Sequence, residues 1–409
     1  MQTRTTMTES ASAGPALGST IPRGSSAPGP AAARAASATA TTTRIASIDW
    51  MRGLVMVLMV VDHASMAYDG GHLDEDSALY AGAGTMALPA AEFFTRWMTH
   101  ICAPTFVFLA GVALALSVER RVAKGVNAWQ IDKSILTRGA IIALLDPTLI
   151  SLGSGRWTFQ VLLAIGLSMM CMAPLRRLPS WALLALGLGW IVGGEYVTGW
   201  FWHPPGSSSP IAALFVATYG SETMIIKYPL IPWLAMMMLG WVLGRQIVRF
   251  NLGTARVSPR AALFVAGIAA LVVFAVVREL HGYGDMFLHR ADNSWEQWLH
   301  LSKYPPSLTY TTLELGLTCV GLALLMTIEP IIGVRKNGVF LVFGQTAMFF
   351  YLVHRLTFEI PATYFGLRGA GDLATTYIVA AVMLFALYPA CLWYRSFKAA
   401  HPNSFLKYI

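Results

Sequence analysis

Arg52 and His63 stand eleven residues apart, joined by the apolar run Gly53 to Val61 and then Asp62. On an α-helix eleven residues make about three turns, so both side chains share one stripe roughly 16 Å long. A guanidinium grips phosphate groups through its fork of donors. An imidazole that is neutral near pH 7 accepts the proton of a hydroxyl or an amine. The stripe therefore suits a reaction that anchors an anionic co-substrate at one end and removes a proton at the other. It also fits a snorkelling Arg and an interfacial His with no chemical task. Asp62 points about 100° away from His63, which makes it a poor orienting partner; Asp146 or His100 is the expected one.

His100 lies in a second apolar stretch, four residues after Arg96 and just before Pro104. Arg96 and His100 share a helix face. If that stretch enters the membrane from the opposite side, His100 lies about 10 Å deep, close to the depth of His63. Asp146, Glu314, His354 and Glu359 fall in further apolar stretches, toward the same end. Ionisable groups inside membrane spans mark functional sites by default. His72 and the acids Asp69, Asp74, Glu75 and Asp76 follow the first stretch and read as a solvated loop.

The elements that must position these groups follow from composition. Of 409 residues, 56% are hydrophobic and only 12% are charged, and the mean hydropathy is +0.56. So few charges cannot cover the surface of a soluble fold of this length. The numbers exclude a soluble enzyme, a disordered chain and a disulfide scaffold, and leave an all-α, polytopic integral membrane protein. Apolar stretches long enough to cross lie near 47–67, 93–117, 135–152, 157–175, 180–198, 228–246, 260–278, 307–328, 338–358 and 373–394, a bundle of about ten transmembrane helices. The stretch 208–220 is too short to span and reads as re-entrant or interfacial. Trp233, beside Pro229 and Pro232, reads as an interfacial anchor.

The net charge of +8 reflects 29 basic against 21 acidic residues. Most of the basic residues fall in the tails and loops of one side, which places both termini in the cytoplasm by the positive-inside rule. The longest loops, 68–92, 199–227 and 279–306, then lie on the outer face, where loops of such length serve as lids or binding segments. Residues 1–44, rich in Ala, Ser, Thr, Gly and Pro, read as a disordered cytoplasmic tail rather than a secretory signal. Residues 45–400 form the membrane domain, and 401–409 a short cytoplasmic tail. Cys102, Cys171, Cys319 and Cys391 are dispersed in apolar stretches and read as small hydrophobes rather than metal ligands or disulfides. Nothing in the chain points to nucleic acid.

Three segments carry a resemblance: RIASIDWMRGLVMVLMVVDHA at 44–64, THICAPTFVFLAG at 99–111 and KYPLIPWLAMMMLGWVLG at 227–244, with KYPPSL at 303–308 in support. In this order they resemble the heparan-alpha-glucosaminide N-acetyltransferase catalytic-domain family, in its bacterial branch, over essentially residues 44–400. Arg52 and His63 also match the Arg-x10-His signature of the wider transmembrane acyltransferase superfamily. Lysosomal members place Asn where His63 stands and use a His further along, for which His72 is the nearest counterpart; they carry an acid where this chain has His100.

The resemblance implies a membrane acyltransferase of the bacterial cytoplasmic membrane. It would move an acyl group, acetyl by preference, from cytoplasmic acyl-CoA to a sugar hydroxyl or amine at the outer face. Acyl-CoA is then the co-substrate, with no metal. The partners are a carbohydrate or glycan acceptor, the bilayer and, as an option, a second copy of the chain. His63, His100 and Asp146 are the expected catalytic residues and Arg52 the expected co-substrate ligand. His63 is the base, or carries the acyl group itself in a two-step route. The rival reading is a proton-coupled transporter that uses the same groups as a relay. Against it, spans 1–5 and 6–10 show no related halves of the kind many transporters carry.

Overall fold

The structure, a computed structural model, describes residues 45–74, 76–80, 88–401 and 404. The tail expected at 1–44 and most of 402–409 lie outside the described residues. Helices carry the fold. α1 is Ala46–Tyr68, α2 Ala90–Thr99, α3 Cys102–Ala123 and α4 Ala128–Leu145. After a wide helical turn at Asp146–Ile150 and a last turn at Ser151–Ser154 come β1, Trp157–Phe159, α5, Val161–Leu175, and α6, Ser180–Thr198. A short α7, Pro210–Phe215, then β2, Tyr219–Gly220, and β3, Met224–Ile226, lead to α8, Leu230–Asn251. The rest is α9 at Pro259–Leu280, α10 at Trp295–Leu299, α11 at Leu308–Ile332, α12 at Val339–Gln345, α13 at Ala347–Tyr364 and α14 at Leu373–Ala400.

Eight of these helices, with α2 and α3 taken as one and α4 taken through Ser154, are long and apolar enough to cross a membrane, among the described residues. α12 and α13 would add a ninth, broken span, bent by 89°. The expected span over 157–175 is shorter than predicted: its first residues form β1, and the helix proper runs only from Val161 to Leu175. The chain is an all-α integral membrane protein. α2 and α3 are 67% buried over their apolar window, against 17% for α9. The first group therefore forms the centre and α9 presents its side chains outward, as a lipid-facing helix does.

Local sequence explains the helix ends that matter. Asn127, Ser258, Ser307 and Asp372 accept from backbone N–H groups at the starts of α4, α9, α11 and α14, which satisfies donors left over at every helix N-terminus. Pro104 cannot accommodate the carbonyl four residues earlier. The helix breaks there, between Thr99 and Cys102, and the His100 carbonyl accepts instead from the Tyr310 hydroxyl at 3.0 Å. α12 lies directly on α1: a Cβ at Gly53 would stand 1.9 Å from the Phe340 carbonyl oxygen, and one at Gly344 1.9 Å from that of Asp49. Only glycine allows this approach, which brings α13 against the far end of α1.

The three strands form a small sheet in the order β1-β3-β2, β1 parallel and β2 antiparallel to β3, with Phe159 and Tyr219 both opposite Ile226. It lies at the loop-rich end of the bundle. The opposite end carries Arg121, Arg138, Arg176, Arg177 and Arg245, and is called the basic end below.

Candidate active site

Two side-chain clusters meet at the loop-rich end of α1. The first is built on Arg96. Its guanidinium donates to Asp62 of α1 and, through Nε and Nη2, to Asp76 at 2.9 and 2.7 Å. Thr99 donates to the same Asp62 oxygen at 2.7 Å, and His100 Nε2 lies 3.2 Å from the other Asp76 oxygen. Asp76 thus draws the loop after α1 into the core. Its backbone carbonyl accepts from the N–H groups of Lys303 and Tyr304 at 2.9 and 3.2 Å. Burial would raise the Asp76 carboxyl, but Arg96 and His100 hold it well below the usual carboxylate range.

That loop is not the solvated segment its acids suggested. Asp69 and Asp76 are buried, and Asp74 pairs with Lys227 at the end of β3. Burial opposes both charges of this pair, yet each partner overcomes it, lowering the carboxyl and raising the ammonium. Lys227 and Lys303 place their ammonium groups 5.1 and 5.4 Å from the centre of the Tyr304 ring, so this ring also helps to hold the charges. His72 contacts Ser65 of α1 at 2.8 Å. Burial and the nearby Arg96 push its imidazole below the usual histidine value.

The second cluster holds His63. Its Nδ1 lies 2.8 Å from Nε2 of His354 on α13, and the edge of Tyr351 packs against it at 5.9 Å. Beyond His354, Arg355 pairs with Glu359 at 2.8 Å, and Glu359 also meets Arg368. Asp62 turns toward Arg96 and away from His63, as adjacent helical positions must.

Neither Asp146 nor His100 is bonded to His63. Asp146 accepts from the N–H groups of Gln160 and Leu163 at 2.8 Å each and so caps α5, while its other oxygen has no partner among the described residues. His100 belongs to the Arg96 cluster. Trp233 is no interfacial anchor: it is fully buried and packs on Tyr228 at 4.7 Å. Sequence reasoning missed two partners: His354 for His63, and Asp76 for Arg96, although a buried Arg96 demanded a carboxylate from somewhere.

A cavity of about 380 Å³ runs from the basic end toward this site and stops at Met59 and Tyr351. Arg121, Arg138 and Lys398 line its mouth, Arg52 lines its wall, and Met59 and Tyr351, the neighbours of His63, line its inner end. Its flanks are apolar, among them Phe106, Ile165 and Met169, and no Asp or Glu lines it among the described residues. Arg52 itself is steadied by Asp49 at 3.2 Å and by the Leu109 carbonyl at 3.1 Å. Arg52 and Met59 put the first two turns of the expected stripe on the cavity wall, and His63 lies one turn beyond Met59.

A bundle of apolar helices that buries histidines and paired charges near the inner end of such a cavity defines a membrane-embedded protein with a polar interior. The family model described as heparan-alpha-glucosaminide N-acetyltransferase, catalytic, matches residues 44–277, more than half of the chain, and the chain belongs to that family. It is accordingly a membrane acyltransferase. None of the curated proteins compared with the chain matches it. Arg52, Asp62, His63, Arg96, His100 and Asp146 lie inside the matched segment, whereas Lys303, Glu314 and His354 lie beyond it.

Proposed function

We propose that the chain transfers an acyl group, acetyl by preference, from acyl-CoA at the basic end to a sugar hydroxyl or amine at the loop-rich end. The basic end faces the cytoplasm, with both termini there, in a bacterial cytoplasmic membrane. The observation that carries this reading is the cavity whose mouth is basic and whose inner end reaches the surroundings of His63.

The residues present fit acyl-CoA. Arg121, Arg138, Lys398 and Arg52 match its phosphates, with Asp49 orienting Arg52 from behind, and the apolar flanks suit an extended pantetheine arm. Roughly 16 Å separates Arg52 from His63 along α1, a span such an arm can cover. Bound acyl-CoA would supply the activated thioester. His63 takes the proton from the acceptor hydroxyl or amine as the new bond to the acyl carbon forms. The C–S bond breaks, and the proton passes to the departing thiolate. His100 and Asp76 fix the Arg96 cluster on the acceptor side, and Asp146 holds the start of α5, where Val161 and Leu162 line the cavity.

The test is transfer of label from acetyl-labelled CoA to glucosamine by purified protein in lipid. Arg52→Met separates the donor site from the base. Loss of a charged hydrogen bond of about 1.5–3 kcal/mol raises the KM for acetyl-CoA about tenfold or more. kcat falls far less, because the proton transfer at His63 is untouched. An unchanged KM in a variant with wild-type thermal stability removes Arg52 from the donor site. Solute movement across vesicles without any label transfer would replace this reading with a transporter.

A further inference from the structure

We propose that His354 is the positioning residue that holds His63 in the single tautomer able to act as a base toward the acceptor. This rests on the acyl-transfer reading above and concerns a residue outside the matched family segment. Hydrogen-bond arithmetic carries it. His354 Nδ1 lies 2.7 Å from the Phe350 carbonyl oxygen, and a carbonyl only accepts. The proton therefore sits on His354 Nδ1. Above the ordinary imidazole pKa of about 6.5 the ring is neutral, so its Nε2 carries a lone pair. That nitrogen is the one facing His63 Nδ1 at 2.8 Å. The proton in this contact thus belongs to His63 Nδ1, since the other tautomer would set two lone pairs against each other. The lone pair of His63 is left on Nε2, which makes no hydrogen bond among the described residues, on a half-buried side chain.

The surroundings keep His354 in this role. It is fully buried and its ring is boxed by Phe350, Tyr351 and Phe358 at 5.3, 5.7 and 6.1 Å. The two imidazoles lie nearly parallel, 15° apart. Of the charged groups nearby, Asp62 is held by Arg96 and Thr99, Arg355 by Glu359, and Lys303 lies over the Tyr304 ring. No ion pair to either imidazole is formed among the described residues. The chain His63–His354–Phe350 carbonyl therefore does with neutral groups what a carboxylate does behind the histidine of a hydrolase triad, where the wrong tautomer costs about 10⁴ in kcat.

The experiment uses the full chain in lipid vesicles, labelled with ¹⁵N-histidine, and reads tautomers by solid-state NMR. The His63 signals are identified by their loss in His63→Gln. The wild type is expected to show a protonated Nδ1 and a bare Nε2 on His63. His354→Phe keeps the ring packing but removes the acceptor, and His63 becomes a mixture; His354→Gln, whose amide oxygen accepts, restores the single form. A bare Nδ1 on wild-type His63 overturns the proposal, as does an unchanged His63 in His354→Phe. With acetyl-CoA and glucosamine, His354→Phe is expected to lower kcat about a hundredfold while the KM for acetyl-CoA stays put, and His354→Gln to recover most of it. Wild-type kcat in His354→Phe would also overturn it. Wild-type protein that transfers no label would sink the acyl-transfer reading alone, because the NMR result still decides the hydrogen bond.

Discussion

His63→Ala protein is expected to transfer acetyl from acetyl-CoA to glucosamine at about one thousandth of the wild-type rate or less. General-base removal of a proton is worth about 10²–10⁴ in rate, and His72 and His100 are engaged elsewhere, on Ser65 and Asp76. Donor binding should survive, because Arg52, Arg121, Arg138 and Lys398 line the cavity separately from His63. Steady-state kinetics with labelled acetyl-CoA would show the loss in kcat with little change in KM. If His63→Ala and wild-type protein acetylate equally, the base is another histidine. His72 on Ser65 and His100 on Asp76 would then be next in line.

Asp285→Ala is expected to destabilise the protein by about 3–5 kcal/mol, since it strands a buried cation. Arg278 and Asp285 meet at 2.8 Å with neither side chain exposed. The same guanidinium donates to the carbonyls of Gln297, Trp298 and His300 at 2.7, 2.9 and 2.8 Å. It thereby fixes the segment that leads to Lys303 and Tyr304, whose backbone N–H groups hold Asp76. Losing Asp285 should lower the thermal midpoint and loosen the acceptor side together. The double variant Arg278→Met, Asp285→Leu leaves no buried charge and should lose much less. A single variant as stable as wild type would show that the pair does not anchor this loop.

How far the sequence reached depended on whether the information was local. The stripe from Arg52 to His63 was legible because helix geometry alone decides which residues share a face. The spans were legible from apolar length, except that β1 takes the first residues of the one before α6. The broken α12–α13 pair looks like an ordinary span in sequence, and only the packing of Gly344 against α1 shows the bend has a use. The partner of His63 was not legible. His354 lies 291 residues away, and no spacing rule favours it over Asp146 or His100. Asp76 was hidden for another reason: in a loop with Asp69, Asp74 and Glu75 it has the composition of a solvated surface, and only the need of Arg96 for a counter-charge sets it apart. Trp233 followed a sound rule about interfacial aromatics but lies in the packed core, with Tyr228 against its ring.

The central claim is that the donor is held at the basic end of the bundle and the acceptor is modified at the other. Sealed vesicles containing the protein test this directly, with labelled acetyl-CoA outside and glucosamine trapped inside. Labelled N-acetylglucosamine should accumulate within intact vesicles, and at about one thousandth of that rate or less with His63→Ala protein. Product that forms only after the vesicles are permeabilised, or glucosamine that leaves them unacetylated, would contradict the account.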